Sequence, residues 1–313
     1  MKPDVLAIGS FPDATRSELF NRFNLHLYQR LAMAREGLAP EIAAHVRAIA
    51  TEANNGADRA LIEKLPKLEI ISVFGVGLDA VDLAAARERK LAITNTPGIL
   101  AAEVGDLAIG LMLASARQII NADRFVREGQ WEKGPISFGR SVSGKTMGVV
   151  GLGGIGRAIA DRGAAFRMRI LYTGPRAKPE VPYTYAADLV DMARQSDFLM
   201  VACKGGPETR HLISTAVLDA LGTKGTLVNV ARGSVVDEVA LIKALADGRL
   251  GFAALDVFAN EPHVPADLLA LPNVIVQPHH GSATVETRSA MGQLMIDNIS
   301  ARLDNRPLLT PVT

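Results

Sequence analysis

Three polar residues stand just past apolar runs in the last third of the chain: Arg232 in "NVARGSVVDE", Glu261 in "LDVFANEP" and His279 in "QPHHGSAT". Histidine is the side chain whose charge changes nearest neutral pH, a carboxylate beside it favours the charged ring, and a guanidinium presents a planar fork to an anion or a polarised oxygen. Gathered in one place, these types suit delivery of a proton while negative charge is held. Spacing alone does not separate such a set from the polar loop residues that any sheet edge carries.

A second chemical signal lies upstream in "VVGLGGIGR", Val149 to Arg157. Gly151, Gly153 and Gly156 fill a G-x-G-x-x-G pattern directly after an apolar run and at the opening of a helical period. The first glycine makes a tight turn, the second lets the backbone approach a pyrophosphate, and the third lets helix and strand pack closely. Gly154 and Ile155 open the helix, whose N-terminus faces the phosphate charge. About 20 residues on, where an NAD site has a carboxylate for the ribose 2′-hydroxyl, the chain reads "ILYTGPRAKP". Thr173 takes the acidic place and Arg176 and Lys178 follow. A guanidinium holds a 2′-phosphate that a carboxylate would repel. The sequence therefore predicts NADP(H) in preference to NAD(H), with Thr173 and Arg176 in the cofactor set.

The elements that must position these groups are legible as six short apolar runs, "MGVV" (147–150), "RILY" (169–172), "FLMVA" (198–202), "LVNVA" (227–231), "FAALDV" (252–257) and "VIVQ" (274–277). Helical periods separate them, as in "DEVALIKALADG" (237–248), so the runs predict a mostly parallel sheet built by crossovers. Ligands of such sheets bind outside the carboxyl ends of the strands, where Arg232, Glu261 and His279 should gather. Earlier runs, "DVLAI" (4–8), "VRAIA" (46–50), "IISVF" (70–74) and "LAIT" (91–94), predict a smaller α/β unit of four or five strands. The pattern breaks at Thr96-Pro97-Gly98, and the last 25 or so residues read as helix without a sheet of their own. The expected fold is α/β: a Rossmann-type doubly wound parallel-sheet domain over 99–285, and a smaller flavodoxin-like α/β substrate domain from 1–98 and 286–313.

Composition narrows the function classes. The 313 residues carry 34 Lys+Arg against 33 Asp+Glu, a net charge of +1, so no basic footprint points to nucleic acid or a membrane surface. The apolar run near the start is too short for a signal-peptide core or a membrane span. The one cysteine, Cys203, excludes an internal disulfide and fits a reducing compartment, so a cytoplasmic enzyme is expected. No His, Cys, Asp or Glu cluster has metal-ligand spacing, so no metal is expected.

The motifs "GLGGIG", "NVARGSVVDE", "LDVFANEP" and "PHHGSAT" fall in the order of the D-isomer-specific 2-hydroxyacid dehydrogenases, and the chain resembles that family over nearly its whole length. Within it, "FGVGLDAVDL", "NTPGIL", "LYTGPR", "SATVETR" and "RPLLTPV" look most like the NADPH-dependent glyoxylate/hydroxypyruvate reductases and the plant hydroxyphenylpyruvate reductases. The resemblance implies a catalytic set of Arg232, Glu261 and His279, with His279 as general acid and its neighbour His280 near the cofactor. It implies that Asp256 contacts the nicotinamide carboxamide, that Cys203, Ala231, His279 and Gly281 join the cofactor site, and that Val76 and Gly77 with Arg232 and His279 bind substrate. It also implies a homodimer in which "FVREGQWEKGPISFGRS" (125–141) is an interface arm. The activity expected is NADPH-dependent reduction of glyoxylate to glycolate and of hydroxypyruvate to D-glycerate. An aromatic 2-oxo acid reductase acting on hydroxyphenylpyruvate is the alternative enzyme, and a non-catalytic dinucleotide-sensing protein the alternative outside enzymes.

Overall fold

Among the described residues, 2–312 of a computed structural model, every ladder between named strands is parallel. The chain divides into two units: one runs to Leu100 and resumes at Ser282, and the other is Ala101–Gly281.

The first unit holds β1 (Asp4–Ile8), β2 (Asn24–Tyr28), β3 (Ala48–Glu52), β4 (Ile70–Phe74) and β5 (Ala92–Thr94), in the spatial order β2-β1-β3-β4-β5. That order is the flavodoxin-like one. Every residue of β4 is buried, which is why "IISVF" reads as a continuous apolar run and not an alternating one. The helix Val285–Leu303 belongs to this unit, and Ser72 in β4 donates its hydroxyl to the Met295 carbonyl at 3.2 Å. The strand that the apolar runs do not single out is β2, "NLHLY". It is an edge strand with no fully buried residue, so a mixed polar sequence suffices there.

The second unit holds β6 (Thr146–Val150), β7 (Arg169–Thr173), β8 (Thr184–Tyr185), β9 (Phe198–Val201), β10 (Thr226–Asn229), β11 (Phe252–Leu255) and β12 (Val274–Val276). Their order, β12-β11-β10-β9-β6-β7-β8, reverses direction at β6. The six runs of the sequence are six of these strands, and the fold is the Rossmann-type sheet expected. The seventh, β8, is a two-residue edge piece too short to leave an apolar signature. Register sets the carboxyl ends level: Val150 pairs with Thr173 and Val201, Asn229 with Val201 and Leu255, and Leu255 with Val276. Every loop that follows a strand therefore leaves from one edge. A core of Val150, Leu199, Val201, Leu227 and Leu255 holds the strands from behind. No helix among the described residues is long and apolar enough to cross a membrane.

Candidate active site

His279 lies just beyond β12, in a loop whose shape comes from Asp256, the residue after β11. The Asp256 carbonyl accepts the His279 amide at 2.8 Å, and its two carboxylate oxygens accept the His280 amide at 2.6 Å and the Gly281 amide at 2.9 Å. One residue thus holds three consecutive amides. The hold matters because His279 has φ +54°, a left-handed conformation that a residue with a Cβ adopts at a cost. Asp256 itself is buried, and burial pushes its carboxyl above the usual range, opposed by the amide of His280, the nearby His279 and the amide of Gly281. The structure thus gives Asp256 a positioning part that the sequence does not show.

The His279 ring meets Glu261, with Nδ1 and Oε2 2.7 Å apart, while Oε1 of Glu261 accepts the Phe258 amide at 3.1 Å. Burial works to raise the Glu261 carboxyl, but the hydrogen bond and charge of His279, the Phe258 amide and Arg232 together hold it below its ordinary value. Glu261 is therefore an anion near neutral pH, facing the His279 ring. The contact at Nδ1 fixes the orientation of the ring at the sheet edge. Arg232 follows β10 in a turn stapled by the buried Asn229, whose Oδ1 accepts the Ala231 amide at 3.0 Å and whose Nδ2 donates to the Arg232 carbonyl at 3.0 Å. The Arg232 Nη1 donates to the Ala231 carbonyl at 2.8 Å. Asn229 is a residue that sequence reasoning missed; its only signal is an amide side chain inside the apolar run "LVNVA".

The glycine loop fits a dinucleotide on its own geometry. Gly151 has φ +89°, and a Cβ there would stand 2.5 Å from the Cα of Cys203. A Cβ on Gly156 would stand 1.9 Å from the Gly151 carbonyl oxygen, so the helix Gly154–Ala165 reaches the strand only because that atom is missing. Gly153 is different: nothing lies within 4 Å of where its Cβ would be. It is also the N-cap of that 12-residue helix, and no side chain caps it. Open space beside uncapped amides is what a pyrophosphate requires. Thr173 is buried at the end of β7 and gives its carbonyl to the Gly151 amide at 2.9 Å, while Arg176 is exposed on the loop beyond. Gly154 is exposed, Ile155 half-buried and Ala231 buried. Cys203 is half-buried with its backbone against Gly151, and burial pushes its thiol up to about 11, so it packs rather than reacts.

In the first unit, Val76 and Gly77 follow β4 in a turn that is itself pinned. The Gly75 amide donates to the Thr96 hydroxyl at 3.2 Å, the Thr96 amide returns to the Gly75 carbonyl at 2.9 Å, and the Asn95 side chain donates to the Val76 carbonyl at 2.9 Å. Asn95 and Thr96 open the motif "NTPGIL", and the structure shows that they fix this turn.

A parallel sheet with a pyrophosphate cradle where its strand order reverses, and a carboxylate-backed histidine at the same edge, is the architecture of a dinucleotide-linked dehydrogenase. Residues 109–281 match the family model described as D-isomer specific 2-hydroxyacid dehydrogenase, NAD binding domain. The chain belongs to the D-isomer-specific 2-hydroxyacid dehydrogenase family. Glyoxylate/hydroxypyruvate reductase A of Arabidopsis thaliana is 51% identical over 85% of this chain and 85% of its own length. The hydroxyphenylpyruvate reductase of Plectranthus scutellarioides is 48% identical over 94% of each chain. A crystal structure of the NADPH-dependent glyoxylate/hydroxypyruvate reductase of Sinorhizobium meliloti, in complex with NADP and malonate, matches with a TM-score of 0.94 at 39% identity, over 100% of this chain and 97% of that one.

Proposed function

We propose that the protein is an NADPH-preferring reductase of small 2-oxo acids, converting glyoxylate to glycolate and hydroxypyruvate to D-glycerate. The observation that carries this reading is the 2.7 Å pair of His279 and Glu261, set with Arg232 at the carboxyl edge of a dinucleotide-binding sheet. Bound reduced nicotinamide supplies a hydride to the carbonyl carbon. His279, protonated, gives its Nε2 proton to the carbonyl oxygen as negative charge develops there. Glu261 fixes the ring, and Arg232 offers paired donors to the polarised oxygen and the acid's carboxylate. The backbone amides of Val76 and Gly77 are proposed to serve carboxylate binding.

Glyoxylate and hydroxypyruvate are preferred to an aromatic acid because the Arabidopsis and Sinorhizobium relatives carry those names. The 48% identity to the Plectranthus enzyme makes hydroxyphenylpyruvate the competing substrate. Steady-state kcat/KM for the three acids, each with NADPH and NADH, decides; a higher value for the aromatic acid overturns the choice. The preference for NADPH is supported by Thr173 standing where a carboxylate would serve NAD, and by Arg176 beyond it. Arg176→Ala is expected to lower kcat/KM with NADPH about tenfold, the value of one charge-assisted contact, and to leave NADH unchanged. Equal losses with both coenzymes would remove the phosphate role.

The same reading makes the protein a homodimer joined through the arm at residues 125–141. Val126, Trp131 and Phe138 are exposed there, and Phe138 is 97% so. Sedimentation equilibrium is expected to return twice the chain mass, and a monomer at micromolar concentration would refute it.

A further inference from the structure

The loop from Gly174 to Lys178 is braced at both ends. The hydroxyl of Tyr172, a fully buried residue of β7, accepts the Lys178 amide at 2.6 Å, and the hydroxyl of Tyr185 in β8 donates to the Gly174 carbonyl at 3.0 Å. The two rings lie 5.4 Å apart and tilted. This arrangement gives the two-residue strand β8 a purpose, since it brings Tyr185 against the loop. It also turns the Lys178 side chain back toward the loop after β6, where Nζ donates to the Leu152 carbonyl at 2.7 Å. Leu152 is the residue between the first two glycines of the phosphate loop.

That address is specific. In this fold the adenosine ribose lies between the first glycine turn and the end of the second strand, so a cation resting on the Leu152 carbonyl stands beside the ribose 2′ position. An ammonium has three donors, and Leu152 takes one of them. The other basic residues nearby are placed differently. Arg157 lies over the Tyr183 ring at 5.4 Å and pairs with Asp161 at 2.8 Å, so a carboxylate already answers its charge. Arg176 is exposed, whereas Lys178 is half-buried and held before any ligand arrives.

We propose that Lys178 is a preset cation of the cofactor's 2′-phosphate site, its ammonium bridging the Leu152 carbonyl and the phosphate while Arg176 approaches from the solvent side. This inference rests on the NADPH reading above. A lysine already fixed by the glycine loop loses little rotamer freedom when the phosphate binds, so most of the charge-assisted contact goes to affinity. A cofactor with a bare 2′-hydroxyl gains far less from the same ammonium. The competing role for Lys178 is a plain brace of the glycine loop, which would support every dinucleotide alike.

Calorimetric titration of the full chain with 2′,5′-ADP and with 5′-ADP separates these without any turnover. Lys178→Met is expected to weaken 2′,5′-ADP about tenfold or more, the equivalent of one hydrogen bond to a charged group, and to leave 5′-ADP unchanged. Lys178→Arg, which keeps a cation and guards against a folding defect in the Met variant, is expected to recover part of the loss. Equal weakening of both fragments, or no weakening of either, overturns the inference. If the wild-type protein itself binds the two fragments equally, the NADPH reading falls. If the wild type prefers 2′,5′-ADP and Lys178→Met retains that preference, Lys178 alone is struck out.

Discussion

Replacing His279 with glutamine is expected to lower kcat for glyoxylate reduction by roughly a thousandfold, the usual worth of a positioned general acid, and to leave NADPH binding largely intact. The expectation follows from the geometry of the ring. Nδ1 is engaged by Glu261 at 2.7 Å, which holds the ring in place for proton delivery, and a glutamine amide, although it donates hydrogen bonds, has no proton acidic enough to transfer. Steady-state turnover alongside quenching of protein fluorescence by NADPH reads both quantities. A variant retaining a tenth of the activity would mean that the proton comes from elsewhere. Glu261→Gln serves as the companion arm. Glu261 is held ionised below the usual carboxylate range, so its negative charge faces the ring near neutral pH. Loss of the carboxylate leaves the ring without the anion that orients it. Turnover of glyoxylate is therefore expected to fall about tenfold, the worth of one charge-assisted hydrogen bond. An unchanged kcat would contradict the assigned role.

The apolar runs disclose where strands lie because both faces of a parallel sheet are covered and burial leaves a continuous signature. They also disclose that Arg232, Glu261 and His279 leave from one edge, since each stands a residue or more past a run. What they cannot disclose is how each group is held. Asp256 grips the amides of residues 279 to 281 from some 25 positions away, and a backbone amide carries no mark of its partner in the sequence. The same is true of Asn229 stapling the Arg232 turn and of Lys178 reaching Leu152. The left-handed backbone of His279 runs against the preference of its residue type, so local propensity points away from it. Edge strands fail for a different reason: β2 and β8 are only partly covered, and their residues answer to single contacts such as Tyr185 on Gly174 rather than to a core.

Arg232→Ala is expected to cost about a hundredfold to a thousandfold in kcat/KM for glyoxylate, the range seen when a donor to a developing oxyanion is removed. The side chain does two things at once here. It contributes to holding Glu261 in its ionised form, and it presents a guanidinium whose turn is fixed by Asn229, so its direction is set before substrate arrives. The first effect requires only positive charge; the second requires the planar fork. Arg232→Lys distinguishes them, because an ammonium restores the charge near Glu261 but not the paired geometry toward substrate. If the fork is what matters, the lysine variant recovers little of the lost kcat/KM. Guanidinium ion added to Arg232→Ala supplies a second discrimination. A free guanidinium can occupy the space left by the side chain and offer the same two donors, so turnover should rise saturably with its concentration, at levels well below those that unfold the protein. An arginine needed only to keep the turn in shape would show no such rescue, because the Asn229 bonds reach the backbone of residues 231 and 232 and survive the substitution. Saturable rescue together with a failed lysine substitution would therefore locate the function of Arg232 in its paired donors rather than in its charge.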